Sequence, residues 1–298
     1  MQTQLPFSGT YTALVTPFKK DGKVDEAALE RLVAAQVNAG VDGIVPVGTT
    51  GESPTLDYEE HVTVVQLAIE FAAGKIKVLA GTGGNSTSEA IYLTRRAQKA
   101  GADGSLQVAP YYNRPTQEGL YQHFKAIAAA TGLPLVLYSV PSRCGVEIGV
   151  ETLQRLRDAC PTIVGLKEAG GNLDRVSQLR AALGERFTLL SGDDSLTLPF
   201  LSVGAHGVIS VASNVIPREM VRMIRAFVAG QTDEALEVHA KFFRLFKALF
   251  IETNPVPVKA ALALLGFCEE EYRLPLVPMS SSNREILQGA LKACGVLS

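Results

Sequence analysis

Ala39-Gly40-Val41-Asp42-Gly43-Ile44-Val45-Pro46-Val47 recurs twice along the chain. The second copy is Ala100-Gly101-Ala102-Asp103-Gly104-Ser105-Leu106-Gln107-Val108. The third is Val203-Gly204-Ala205-His206-Gly207-Val208-Ile209-Ser210-Val211. Each copy places glycines where a helix gives way to an apolar strand, a turn that needs left-handed backbone and close packing. A repeated turn–strand unit is what a (β/α)8 barrel requires.

Outward from the repeat, eight short β-rich runs alternate with longer amphipathic stretches. The runs are 11–16, 43–47, 77–80, 105–109, 135–138, 163–166, 187–190 and 208–211. Helical stretches fall at 26–38, 58–73, 86–100, 118–131, 150–158 and 173–183. Strand-then-helix alternation indicates parallel βαβ units, and continuous apolar strands fit a sheet covered on both faces. A doubly wound open sheet is the alternative. Eight units without a dinucleotide fingerprint favour the closed TIM barrel. After about Asn214 the strand signal stops, and 217–230, 232–251, 256–265 and 282–294 read as helices. The expected division is a catalytic barrel over 1–225 and a C-terminal helical extension over 226–298, with no linker between them.

The 298 residues are 47% hydrophobic, enough for one large core, and the net charge of −2 shows no basic stripe for nucleic acid. The substrate is therefore expected to be small. No apolar run reaches the roughly 18 residues that span a bilayer, and residues 1–7 lack the pattern of a secretory signal. Cys144, Cys160, Cys268 and Cys294 have no paired spacing, which points away from a disulfide frame or zinc knuckle and toward a reduced cytoplasm. The four histidines show no ligand spacing either, and no metal is expected.

In a parallel barrel the chemistry sits at the C-terminal ends of the strands. There the chain places Gly48-Thr49-Thr50-Gly51-Glu52-Ser53, Pro110-Tyr111-Tyr112-Asn113-Arg114-Pro115, Tyr138-Ser139-Val140-Pro141-Ser142-Arg143-Cys144-Gly145, Lys167 and Ser191-Gly192-Asp193-Asp194. Lys167 ends the run Ile163-Val164-Gly165-Leu166. A lysine there loses hydration, its pKa falls, and the neutral amine can attack a carbonyl; snorkelling to the rim or pairing with Glu168 is the plainer reading. The 48–53 loop offers hydroxyls and backbone N–H groups to a carboxylate, or equally caps the next helix. Tyr112 and Tyr138 can act as acid or base, or simply pack at the rim. Arg143 is a carboxylate clamp or a solvated loop residue. Asp193-Asp194 reads as a helix N-cap.

Taken together, these stretches, with Asn254-Pro255-Val256-Pro257-Val258-Lys259, resemble the dihydrodipicolinate synthase (4-hydroxy-tetrahydrodipicolinate synthase) family. That family lies within the pyruvate-dependent class I aldolases that include N-acetylneuraminate lyase. The resemblance implies a lyase of lysine and diaminopimelate biosynthesis, condensing pyruvate with L-aspartate 4-semialdehyde without a cofactor. It implies that Lys167 forms the Schiff base, that Tyr138 is the acid/base, and that Thr49 and Tyr112 complete a proton relay. It further implies that Tyr111 reaches across a tight dimer contact, that Thr50 and the backbone at Ile209 hold pyruvate, that Gly192 lines the pocket, and that Arg143 receives the semialdehyde carboxylate. A homotetramer built as a dimer of dimers is implied. So is feedback by L-lysine, with Ser53, His61, Asn85, Glu89 and Tyr111 as candidate positions.

Some positions depart from the family pattern. Ser139 stands where asparagine is usual and Cys144 where threonine is usual, and Cys144, if exposed, would be open to alkylation. Tyr58 and Pro54 replace a histidine and an alanine common in lysine-sensitive members, so partial feedback is expected. Two other readings compete: a related pyruvate aldolase or lyase acting on a sugar acid or hydroxy-oxo-acid, and a barrel that binds without catalysis. The Arg143 loop argues against the first, and retention of Lys167, Tyr138, Thr49 and Tyr112 together against the second.

Overall fold

The computed structural model describes residues 5–298; Met1 to Gln4, part of the segment read for a signal, lie outside the described residues. Eight strands form the barrel: β1 Gly9–Ala13, β2 Gly43–Val45, β3 Lys77–Gly81, β4 Gly104–Val108, β5 Leu135–Ser139, β6 Ile163–Glu168, β7 Thr188–Ser191 and β8 Gly207–Ser210. They pair in sequence order, all parallel, and β8 closes on β1 through Gly9 opposite Gly207.

Around them run α1 Glu26–Ala39, α2 Tyr58–Ala72, α3 Thr87–Ala100, α4 Gln117–Ala129, the single turn α5 Pro141–Cys144, α6 Val150–Ala159, α7 Leu173–Leu183, α8 Thr197–Ser202 and α9 Pro217–Val228. Local chemistry starts them where expected. Asp57 and Glu60, for example, form a reciprocal capping box at the head of α2. The last barrel helix, α9, packs on β1 and α1 and ends at Val228, two residues before the 230 read from sequence. Helices α10 Thr232–Ala248, α11 Val256–Leu264 and α12 Ser281–Ala293 follow, with α10 against α9 and α12. Among the described residues no helix is long and apolar enough to cross a membrane.

The repeat has a mechanical explanation. Its first glycine, at Gly40, Gly101 and Gly204, is left-handed in every copy, with φ of 74°, 93° and 97°. Its second starts a strand in space too tight for a side chain. A Cβ on Gly207 would lie 1.9 Å from the Gly9 carbonyl oxygen, and one on Gly104 would lie 2.4 Å from the Phe7 ring. The residue between them pins a neighbouring strand. Asp42 accepts from the Thr10 N–H at 2.7 Å, Asp103 from Val78 at 2.8 Å, and His206 Nδ1 from Leu189 at 3.1 Å. Each copy thus ends a helix, enters a strand and sets its neighbour's register.

Two short helices escape the sequence reading. α5 is one turn held by Pro141 at its start and a left-handed Gly145 at its end. α8 is six residues behind a 3₁₀ turn, too short for a helical period to register.

Candidate active site

Strand pairing assembles the centre of the site. Tyr138 on β5 is the register partner of Lys167 on β6, whose other neighbour is Leu190 on β7. Side chains of paired residues share a face. Lys167 Nζ accordingly lies 4.2 Å from the centre of the Tyr138 ring. β6 continues through Glu168, so Lys167 sits inside the strand rather than after it. Only 7% of Lys167 is exposed. Burial brings its amine down to about 7; Asp194 pulls it back up, and Arg143 adds to the lowering. Near neutrality much of this amine is unprotonated and nucleophilic. Glu168 is turned away from it into an ion pair with Arg175 at 3.0 Å.

Burial also raises the Tyr138 phenol to about 12, while Arg143 and the neighbouring Thr49 hydroxyl favour its phenolate. Tyr138 therefore holds its proton until a partner demands it. Gly192 leaves room for the lysine: a Cβ there would lie 3.0 Å from Lys167 Cε and 2.6 Å from the Ala169 Cβ.

Thr49 and Thr50 come from a knotted turn after β2. Gly51 and Ser53 both donate to the Gly48 carbonyl, at 3.1 and 3.3 Å, Glu52 donates to Thr49 at 3.2 Å, and Thr16 Oγ1 donates to Gly51 at 2.7 Å. Arg143, on the α5 turn, stands exposed at the mouth and reaches the Asn254 carbonyl at 3.3 Å. Thr49, Thr50, Tyr138, Arg143, Lys167, Gly192 and Asn254 line one cavity. Its free space is about 830 Å³ including the open mouth, of a size for a small molecule. Val211, just past the end of β8, lines the cavity; Ile209 lies within the strand, paired with Tyr11.

The tyrosine pair is arranged opposite to expectation. Tyr112 is 92% exposed with φ of 71°, and it projects away from the chain's own cavity. Tyr111 is the inward one, half-buried in the wall of an adjoining pocket shared with Thr49, Tyr138 and Arg143. Nothing in a two-residue Tyr-Tyr stretch signals in sequence which of the two side chains turns inward. Within one chain, then, Tyr111 reaches inward, and Tyr112 does not join Tyr138.

Ser53 and Pro54 line the same adjoining pocket as Tyr111. Asn85 and Glu89, at the head of α3, both act on the Tyr111 phenol, which burial raises. His61 is buried, bonded to the Gly81 carbonyl at 2.8 Å, and held neutral by burial, which pulls it down to about 4. Tyr58 stands outside, packed on Tyr92 with ring centres 5.7 Å apart.

The departures lie in the wall. Cys144 is buried, its thiol donates to the Ala109 carbonyl at 3.1 Å, and burial pushes it up to about 11. The exposure that alkylation would need is therefore absent. Ser139 is fully buried, facing the Ile148 N–H at 3.4 Å. Asp193 caps its turn by accepting from Ser195 at 2.7 Å.

Three residues with structural reach into the site were given no role in it by the sequence reading, although two of them lie in the Asn254–Lys259 stretch and one in Asp193-Asp194. Asp194, beside Lys167, is buried and accepts from Val211 and Ala212 N–H at 3.1 and 2.8 Å; burial raises it to about 6. Asn254 hydrogen-bonds Thr50. Lys259 is paired with Glu52 beneath the 48–53 turn.

Comparison with known proteins agrees along the whole chain. A sequence model of the Dihydrodipicolinate synthetase family matches residues 6–294. The 4-hydroxy-tetrahydrodipicolinate synthase of Aquifex aeolicus (strain VF5) is 54% identical over 286 residues, 96% of this chain and 97% of that one. The solved structure of the enzyme of that name from Methylacidiphilum fumariolicum SolV is 56% identical and superposes with a TM-score of 0.96, covering 97% of this chain and 96% of that one. A lysine-bound structure from Cyanidioschyzon merolae is 47% identical with a TM-score of 0.95, covering 98% and 99%. The chain belongs to the dihydrodipicolinate synthetase family.

Proposed function

We propose that the chain is a 4-hydroxy-tetrahydrodipicolinate synthase, a lyase condensing pyruvate with L-aspartate 4-semialdehyde in cytoplasmic lysine and diaminopimelate biosynthesis. The observation that carries this is a buried lysine with its amine near 7, beside a buried tyrosine, in a family of that activity. Neutral Lys167 attacks the pyruvate carbonyl, and loss of water gives an imine. Protonated, the imine draws electrons from the methyl group, which gives up a proton and becomes an enamine. The enamine carbon attacks the aldehyde. The semialdehyde's amine then displaces Lys167 and closes the ring. Tyr138 and Thr49 move the protons, Thr50 holds the pyruvate carboxylate, and Arg143 at the mouth takes the carboxylate of the second substrate.

Tyr112 cannot serve its own cavity, so the third member of the relay is supplied by the Tyr112 of a second copy. That fits an assembly of tight dimers, and a homotetramer as a dimer of dimers. L-Lysine, bound in a solved relative, fits the adjoining pocket with Glu89 toward its ammonium. A rate that stays flat up to millimolar L-lysine would remove the effector reading.

The test of the activity is turnover with pyruvate and each of two acceptor classes. Turnover is expected with aspartate semialdehyde and lost in Arg143→Ala, whereas preference for a sugar aldehyde would assign the chain to the lyases of the wider group.

A further inference from the structure

Thr50 is almost completely buried, so what its hydroxyl can do for a substrate depends on its protein partner. That partner is Asn254, from the loop before α11 and itself only 6% exposed. Asn254 Nδ2 donates to Thr50 Oγ1 at 3.0 Å. A hydroxyl has one proton to give and two lone pairs. Because Asn254 fills a lone pair, the Thr50 proton stays available, and both residues line the lysine cavity. The reverse arrangement, with the amide oxygen taking that proton, would leave a bound anion facing lone pairs. Asn254 Oδ1 instead has no partner, at the cost of a buried unpaired acceptor. The backbone carbonyl of the same residue accepts from Arg143 at 3.3 Å.

We propose that Asn254 is a positioning residue that makes Thr50 a hydrogen-bond donor to the pyruvate carboxylate. Its side chain acts on the pyruvate end of the site alone, because Arg143 is held through the backbone, which substitution leaves in place. The extension thereby sets selectivity for the first substrate from outside the barrel. This inference rests on the imine-forming reading above.

The experiment measures Lys167 trapping by borohydride as a function of pyruvate, and steady-state constants for both substrates, in wild type, Asn254→Ala and Asn254→Asp. Alanine frees the Thr50 hydroxyl to rotate, and the pyruvate constant should rise about threefold. Aspartate keeps the shape but captures the proton and adds a negative charge, so the rise should exceed about tenfold, the upper range for one hydrogen bond. The semialdehyde constant should change less than about twofold, read on variants that circular dichroism shows to be folded at the assay temperature. An aspartate variant that binds pyruvate as well as wild type overturns the proposal, as does one that binds it better than a folded alanine variant. Equal shifts for both substrates also overturn it, since they mark a general loosening. If wild type itself forms no trapped adduct, the imine reading fails first, separately from this inference.

Discussion

Replacing Lys259 by methionine should cost about 3–5 kcal/mol, the range for removing one partner of a buried pair. Lys259 Nζ lies 2.5 Å from Glu52 Oε1, and neither side chain has any exposed surface. The ammonium also sits 4.2 Å from the centre of the Phe18 ring. Without it, the Glu52 carboxylate keeps one partner, the Arg273 N–H at 3.3 Å, and no route to solvent. Unfolding entropy of about 2.1 cal/mol/K per residue gives about 0.6 kcal/mol/K for this chain, so Tm should fall by about 5–8 °C. Adding Glu52→Gln removes the stranded charge and keeps an acceptor for Arg273. The double variant should recover most of the loss, with a coupling energy of about 2 kcal/mol or more. Thermal and denaturant midpoints of the four proteins read this directly. A single variant within about 1 °C of wild type, or a double variant as unstable as the two losses summed, would refute the reasoning.

Three other outcomes follow from the site. Because the Lys167 amine lies near 7, about a tenth of it is neutral at pH 6 and about nine-tenths at pH 8, so imine trapping should rise roughly tenfold across that interval; a rise confined to pH above 9 would mark an ordinary lysine. Cys144, buried and with its thiol raised, should stay unmodified when the folded protein meets iodoacetamide and react once unfolded, as read by peptide mass; rapid labelling in the folded state would contradict its placement. Tyr112→Phe and Lys167→Ala proteins, each nearly inactive, should regain activity when unfolded and reassembled together, since a hybrid dimer holds one complete site; no recovery in verified hybrids would return Tyr112 to its own chain.

The barrel was legible because its repeat carries mechanics: a left-handed glycine, a strand-pinning side chain and a glycine with no room for Cβ. Strand ends were less so. The first run reads as 11–16, yet β1 is Gly9–Ala13, because pairing with β2 and β8 sets its ends while Leu14 and Val15 are buried beyond it. Lys167 was legible as a charge closing an apolar run, and Tyr138 by its place on the preceding strand. The directions of Tyr111 and Tyr112 were not, since two adjacent tyrosines carry no mark of which one faces inward. The contacts of Asn254 with Thr50 and of Lys259 with Glu52 span 204 and 207 residues. Such pairs leave no local pattern and emerge only when the extension folds back over the barrel.

The most direct test of the account is borohydride reduction in the presence of pyruvate, followed by peptide mapping. One pyruvate-derived adduct is expected, on Lys167, and none in Lys167→Ala. Folded protein that yields no adduct, or carries it on another lysine, would contradict it.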